Sequence, residues 1–232
     1  MIDTQSENAS SWYDEGVKRS GLSETHRYLV EQVPEKSVVL EIGPSSGYMT
    51  KILAARGCIV DAIELNPLDA AKAAVHCRTM VVGSVEDEHA LSQFSGPYDV
   101  LLMADVLEHL RLPGQVLRML RKCLSPMGLG LASVPNIAHW RMRLSLLLGK
   151  FEYTETDLLD KTHLRFYTRK TGQQLFIESG FSIEKTVAPP APPSRYRGLH
   201  NMIRQGFPTL FSVNFIYHLR PRAPQFYDFR IT

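Results

Sequence analysis

The sequence predicts an α/β protein built on a doubly wound, mostly parallel sheet of seven strands, and three observations carry that expectation. Short β-rich apolar runs alternate with longer stretches of helical period between residues 37 and 187, the pattern of strands joined by crossover helices. A glycine-bearing turn directly follows the first of these strands. Polar and acidic residues then recur where successive strands end, on the side of an open parallel sheet where ligands bind.

The elements follow in order. Ser23 can cap a helix to about Val33, with Tyr28, Leu29, Val30 and Val33 as its apolar face. The first strand is 37–42, and Gly57 ends a helix over 48–56. The second strand, 58–64, leads into an alanine-rich helix around 70–74. The third is 79–82 and the fourth 98–104, followed by a helix over 113–124 with Pro113 in its first turn. After the turn Ser125-Pro126-Met127-Gly128, the fifth strand is 129–134. Residues 135–168 fit neither period and are expected to hold a lid. A helix over 170–179, stopped by Gly180, precedes strands at 181–187 and 211–219. The intervening Ala188-Pro189-Pro190-Ala191-Pro192-Pro193 suits an extended connector, since proline lacks the N–H that helix and central strand require.

At 232 residues the chain suits one domain: an N-terminal cap (1–36), a core with its lid (37–187), a proline-rich insertion (188–210), and a last strand with tail (211–232). The 44% hydrophobic and 22% charged fractions are those of an ordinary globule. No apolar run approaches the roughly 20 residues of a membrane span, and the polar N-terminus does not read as a secretory signal, so the cytoplasm is the expected location. Cys58, Cys77 and Cys123 are odd in number and far apart, suggesting neither a disulfide framework nor a zinc site; no metal is expected. Residues 1–139 hold 12 Lys+Arg against 17 Asp+Glu, and residues 140–232 hold 14 against 7, so the C-terminal part is basic. Such asymmetry suits a phosphate-bearing or otherwise anionic partner, with a solvated basic surface as the plainer alternative.

The first strand runs into Glu41-Ile42-Gly43-Pro44-Ser45-Ser46-Gly47. Gly43 permits a tight turn and Gly47 a close backbone approach, so a ligand can lie against the strand end. A dinucleotide site needs Gly-x-Gly-x-x-Gly to admit a pyrophosphate, and this turn lacks the middle glycine. Glu41, two residues before Gly43, suits the ammonium of an amino-acid moiety. Glu64 closes the second strand 21 positions after Gly43, matching the interval of roughly 20 residues at which such folds set a carboxylate on ribose hydroxyls. Asp61 has the wrong parity to reach the same point.

The Glu41-x-Gly43-x-x-x-Gly47 turn resembles the S-adenosylmethionine (SAM) binding signature of class I methyltransferases. So does Ala104-Asp105-Val106-Leu107-Glu108-His109-Leu110 after the fourth strand, and the likeness covers residues 37–187. The resemblance implies a Rossmann-like methyltransferase fold with a lid insertion. It assigns Glu41 to the methionine end, Glu64 to the ribose, Leu65 to the cofactor site, Ser84 and the Val85 amide to adenine, and Ala104 and Asp105 to the methionine arm. Ser133-Val134-Pro135-Asn136-Ile137-Ala138-His139-Trp140 and 160–168 look like a bacterial subgroup often associated with glycan assembly or other secondary metabolism. Trp12 and Tyr13 suit an aromatic cover or a simple anchor.

A hydroxyl acceptor needs its proton removed, and histidine titrates near neutrality. His109, His139 and His163 fall on loops beside the cofactor motif and are the candidate bases, His109 first; Glu108 can orient a histidine or bind substrate. His26, His76, His89, His200 and His218 fall on outer helices or peripheral segments and are expected to be structural or solvated. Arg141, Arg143 and Arg165 are candidates for an anionic group on a small-molecule acceptor. The expected reaction is O-methylation of a sugar, glycan precursor or other metabolite. N-methylation, RNA methylation and a non-catalytic SAM-binding subunit are the alternatives, and no nucleic-acid-binding module is visible.

Overall fold

The computed structural model describes residues 22–190 and 195–222; Trp12 and Tyr13 lie outside them. The elements are α1 (Glu24–Gln32), β1 (Val38–Ile42), α2 (Tyr48–Ala55), β2 (Ile59–Glu64), α3 (Pro67–Ala74), β3 (Thr79–Val82), α4 (Glu88–Leu91) and β4 (Tyr98–Ala104). A 3-10 turn at Leu107–His109 follows, then α5 (Pro113–Cys123), β5 (Leu124–Pro135), α6 (Trp140–Leu147), α7 (Arg169–Glu178), β6 (Phe181–Val187), α8 (Arg197–Gly206), α9 (Pro208–Phe211) and β7 (Asn214–Pro221). The strands form one sheet in the order β3-β2-β1-β4-β5-β7-β6. The first five run parallel, and β7 pairs antiparallel with both β5 and β6.

Alternation along β1 divides its side chains between two cores. Leu40 and Ile42 join the face that holds Val116, Leu117 and Phe176 from α5 and α7. Val39 joins the face that holds Leu29, Val30, Met49 and Leu53 from α1 and α2. Glu41 shares Val39's parity, so it is buried beneath α2. The capping chemistry anticipated at Ser23 is present, its hydroxyl accepting the His26 N–H at 3.1 Å. Asp61, on the other face, is engaged by the Arg78 guanidinium and by the Tyr98 hydroxyl at 2.7 Å.

Two strand boundaries change, and two segments gain detail. β5 begins at Leu124 instead of 129, because Leu124 already pairs with Tyr98 and the Pro126–Gly128 stretch is absorbed as a ladder irregularity. The seventh strand starts at Asn214, not 211, since Pro208 opens the short helix α9 that ends at Phe211. The insertion at 188–210 holds α8, beyond the proline-rich stretch. The 135–168 segment contains α6 and has a small core of its own, Met142, Leu158 and Leu159 against Ile137, Phe166 and Val213. Among the described residues no helix is long and apolar enough to cross a membrane.

Candidate active site

The turn after β1 depends on backbone that only some residues tolerate. Gly43 has φ 66 and donates its N–H to the Ile63 carbonyl at 2.9 Å; a Cβ there would stand 3.1 Å from Val106 Cγ2. A cavity of about 250 Å³ opens beside it, lined by Gly43, Glu64, Leu65, Ser84, Val85, Asp105 and His109 with their neighbours. Glu64 is fixed from both sides of the turn: Oε2 accepts the Ser45 N–H and Oε1 the Asn66 N–H, each at 2.9 Å. Burial raises its carboxyl above the ordinary range, and these amide bonds act against the rise. A carboxylate held by amides keeps acceptor capacity for ligand hydroxyls.

Three of the anticipated cofactor residues are not among those lining this cavity. Gly47 is left-handed at φ 82 as the N-cap of α2, and the backbone it admits is that of α3: a Cβ would lie 2.6 Å from Ala73 Cα. The close approach is helix to helix, so no ligand is needed to explain it. Ala104 packs at the end of β4 and lines neither of the site's two cavities. Glu41 also lines neither, being 0% exposed. Its Oε2 accepts the Thr50 hydroxyl at 2.7 Å, and its Oε1 is buried without a partner among the described residues. Desolvation pushes its carboxyl up to about 7.

A second cavity of about 310 Å³ shares Asp105 with the first and is lined also by Ser23, Glu24, His26, Glu108, Asp157, His163 and Arg204. Asp105 turns the chain after β4 with φ 52, a conformation that aspartate tolerates better than most side chains. Its Oδ1 accepts the Ser133 hydroxyl at 2.7 Å and the Asn214 amide at 2.9 Å, while Oδ2 lies 3.3 Å from His26 Nε2. Burial alone would raise its carboxyl, but these bonds prevail and hold it below the usual range. His26 therefore departs from its expected peripheral role. It is buried, with Nδ1 3.3 Å from the Tyr48 hydroxyl, and it ties α1 to the strand end. Sequence reasoning missed it because its partner is 79 positions away.

Glu108, His109 and His163 converge, one ligand atom from each lying within 4.8 Å of the others. Glu108 is 1% exposed, and neither carboxylate oxygen has a partner among the described residues. Burial raises its carboxyl well above the ordinary range, and the nearby Asp105 adds to this. Its backbone carbonyl accepts the N–H groups of Leu164 and Arg165 at 2.8 and 2.9 Å, so the 135–168 segment is stitched to the strand end here. Burial, and then the neighbouring His163, lower the pKa of His109. His139 is not part of this group. It caps α6, its Nδ1 accepting the Arg141 N–H at 3.4 Å, and it lines neither cavity.

The anticipated arginines also point elsewhere. Arg143 donates to the Ala138 carbonyl, Arg165 to that of Arg111, and Arg141 lies over the Trp140 ring. Among the described residues lining the second cavity, the Lys or Arg side chain is that of Arg204 of α8, tied to the Phe211 and Pro189 carbonyls at 3.1 and 3.0 Å. Nothing in the sequence marked it out from its neighbours.

Comparison with known proteins agrees with this architecture. The family described as "Methyltransferase domain" matches residues 13–186. A ubiquinone biosynthesis O-methyltransferase of Psychrobacter arcticus is 26% identical over 186 residues, covering 76% of this chain and 71% of that protein. Among solved structures, a chain of the complex between the Haloferax volcanii Trm112 methyltransferase activator and a methyltransferase aligns with a TM-score of 0.67 at 14% identity, covering 96% of this chain and 100% of that one. A TehB-like SAM-dependent methyltransferase of Corynebacterium glutamicum aligns with a TM-score of 0.62 at 13% identity, covering 94% and 98%. The seven-stranded fold, the cavity at the strand ends and the match over three quarters of its length together mean that the chain belongs to the methyltransferase-domain family and is a SAM-dependent methyltransferase.

Proposed function

We propose that the protein methylates a hydroxyl group of a small molecule, a sugar, glycan precursor or other metabolite, held in the second cavity. The observation that carries this reading is the shared wall: Asp105 lines both cavities, with Glu108 and His163 on the acceptor side and His109 on the other. The relative named as an O-methyltransferase supports oxygen as the acceptor atom. The cavity wall itself weighs against a strongly anionic acceptor, since it carries the carboxyls of Glu24, Asp105, Glu108 and Asp157 and, among the described lining residues, one Lys or Arg side chain, that of Arg204.

In this reading Glu64 accepts from the ribose hydroxyls, Leu65, Ser84 and Val85 border the adenine, and Asp105 borders the methionine arm. The partnerless buried Oε1 of Glu41 fits an ammonium donor. When bound, SAM supplies a methyl group already activated on its sulfonium. The chain's part is to hold the acceptor oxygen in line and free it of its proton. His26, Ser133 and Asn214 hold Asp105 in place, and the Glu108, His109 and His163 group is positioned to handle the acceptor proton. The test has two stages. Calorimetry should give one site for SAM or S-adenosylhomocysteine and negligible affinity for NAD. A panel of hydroxylated and amine-bearing small molecules is then incubated with methyl-labelled SAM and the label located by mass spectrometry. Label on nitrogen alone would overturn the O-methyl reading.

A further inference from the structure

We infer that Glu108, His109 and His163 hold a divalent transition-metal cation at the wall between the two cavities, with its remaining coordination positions open to the acceptor. The inference rests on the assignment of the second cavity to the acceptor and goes beyond it by naming what activates the hydroxyl.

Four features carry it. The donor set is one carboxylate and two imidazoles, a combination that suits zinc or a first-row ion such as manganese, iron or cobalt better than magnesium or calcium, which prefer oxygen throughout. The donor atoms already lie within 4.8 Å of one another. Ligands at about 2.1 Å from one ion stand roughly 3 to 3.5 Å apart, so closure needs shifts of about an ångström. Glu108 is buried with both oxygens lacking partners among the described residues, a costly arrangement for a carboxylate that faces no cation.

The fourth feature is the support behind the imidazoles. His109 Nδ1 lies 3.3 Å from the Thr162 carbonyl and 3.1 Å from its hydroxyl, and that hydroxyl donates to Asp160 Oδ1 at 2.6 Å. His163 Nδ1 lies 3.4 Å from the Leu158 carbonyl. A carbonyl partner fixes the proton on Nδ1 and leaves Nε2 as the lone-pair donor, the arrangement typical of metal-binding histidine. The two rings meet edge to face with centroids 4.9 Å apart. The histidines thus serve as ligands in place of the general base their sequence positions suggested. The cation lowers the pKa of a coordinated hydroxyl, whose proton passes to water. The freed oxygen then takes the methyl group as its bond to sulfur breaks, leaving S-adenosylhomocysteine.

The experiment uses the full chain, stripped with a chelator and titrated with Mn²⁺, Zn²⁺ and Mg²⁺ by calorimetry, with Co²⁺ absorption as the spectroscopic readout. One equivalent of Mn²⁺ or Zn²⁺ should bind, Mg²⁺ more weakly, and Co²⁺ should develop ligand-field bands. Glu108→Gln and His163→Ala should each weaken binding roughly tenfold or more, and Thr162→Val should weaken it less. Glu108→Gln keeps the side-chain shape and removes a buried charge, so it should fold, and metal should raise the melting temperature of the wild type but not of this variant. S-adenosylhomocysteine binding, measured on each metal-free protein, reports the cofactor site separately. Its retention without stoichiometric metal binding would overturn the metal site and leave the methyltransferase reading standing. Metal binding undiminished in both Glu108→Gln and His163→Ala would assign the ion to another place and equally overturn the inference.

Discussion

Replacing Glu41 by Gln should change how stability depends on pH. The carboxyl is wholly buried, with Thr50 on one oxygen and no partner for the other among the described residues, and its pKa is about 7 against an ordinary 4.5. The unfolded chain releases this proton near pH 4.5, whereas the folded chain holds it to about pH 7. The raised pKa therefore favours the fold at low pH, and the advantage is lost as pH rises from about 4.5 to about 7. A rise of about 2.5 pH units corresponds to about 3 kcal/mol at 1.36 kcal/mol per unit. Gln keeps an acceptor for Thr50 and has no proton to lose. In urea unfolding at a series of pH values, the difference between wild type and Glu41→Gln should change by about 2.5 kcal/mol between pH 5 and pH 8, in favour of the variant. A difference that stays flat would mean that Glu41 ionises normally in the folded protein and that its orphaned oxygen is hydrated. Saturating S-adenosylhomocysteine should reduce the wild-type penalty above pH 7 if its ammonium meets Glu41, and leave the penalty intact if the cofactor binds elsewhere.

Three further substitutions separate neighbouring roles. Glu64→Ala should weaken S-adenosylhomocysteine binding by roughly 1.5 to 3 kcal/mol by calorimetry, the range for a hydrogen bond to a charged group; unchanged affinity would remove Glu64 from the ribose. Gly47→Ala should cost about 2 to 4 kcal/mol of stability in denaturant unfolding, from the left-handed backbone together with the overlap on Ala73, and a near-neutral result would mean that α3 can withdraw. His139→Ala should lower stability by about 0.5 to 1 kcal/mol through its weak cap while leaving kcat with a competent acceptor unchanged; a large loss of kcat would restore His139 to the catalytic group.

The sequence was most informative where chemistry and local geometry coincide. The spacing from Gly43 to Glu64 is set by one helix, one strand and the two turns that precede them, so the lining position of Glu64 could be read from a count of residues. Gly47 shows the limit of that reasoning: a glycine reports that something comes close, and here what comes close is Ala73 of another helix. The α6 helix escaped notice because its apolar residues do not line one buried face. Trp140, Leu144, Leu146 and Leu147 are exposed, and only Met142 is buried. His26 and Arg204 could not be assigned, since each gains its place from partners or walls brought together only by the tertiary fold.

The placement of β7 between β5 and β6 has a consequence for assembly. β6 precedes β7 in the chain, yet the two strands that flank β7 make no ladder with each other. Until the segment from Asn214 to Pro221 docks, the sheet ends at an open β5 edge and β6 has no neighbour, which leaves two unsaturated edges of the kind that invite wrong pairing. Docking inserts Phe215 and Tyr217 into one core and Ile216 into the other. It also delivers the Asn214 amide to Asp105. Completing the sheet and placing Asn214 beside Asp105 thus depend on the same docking, so a partly assembled chain would lack this part of the cavity wall.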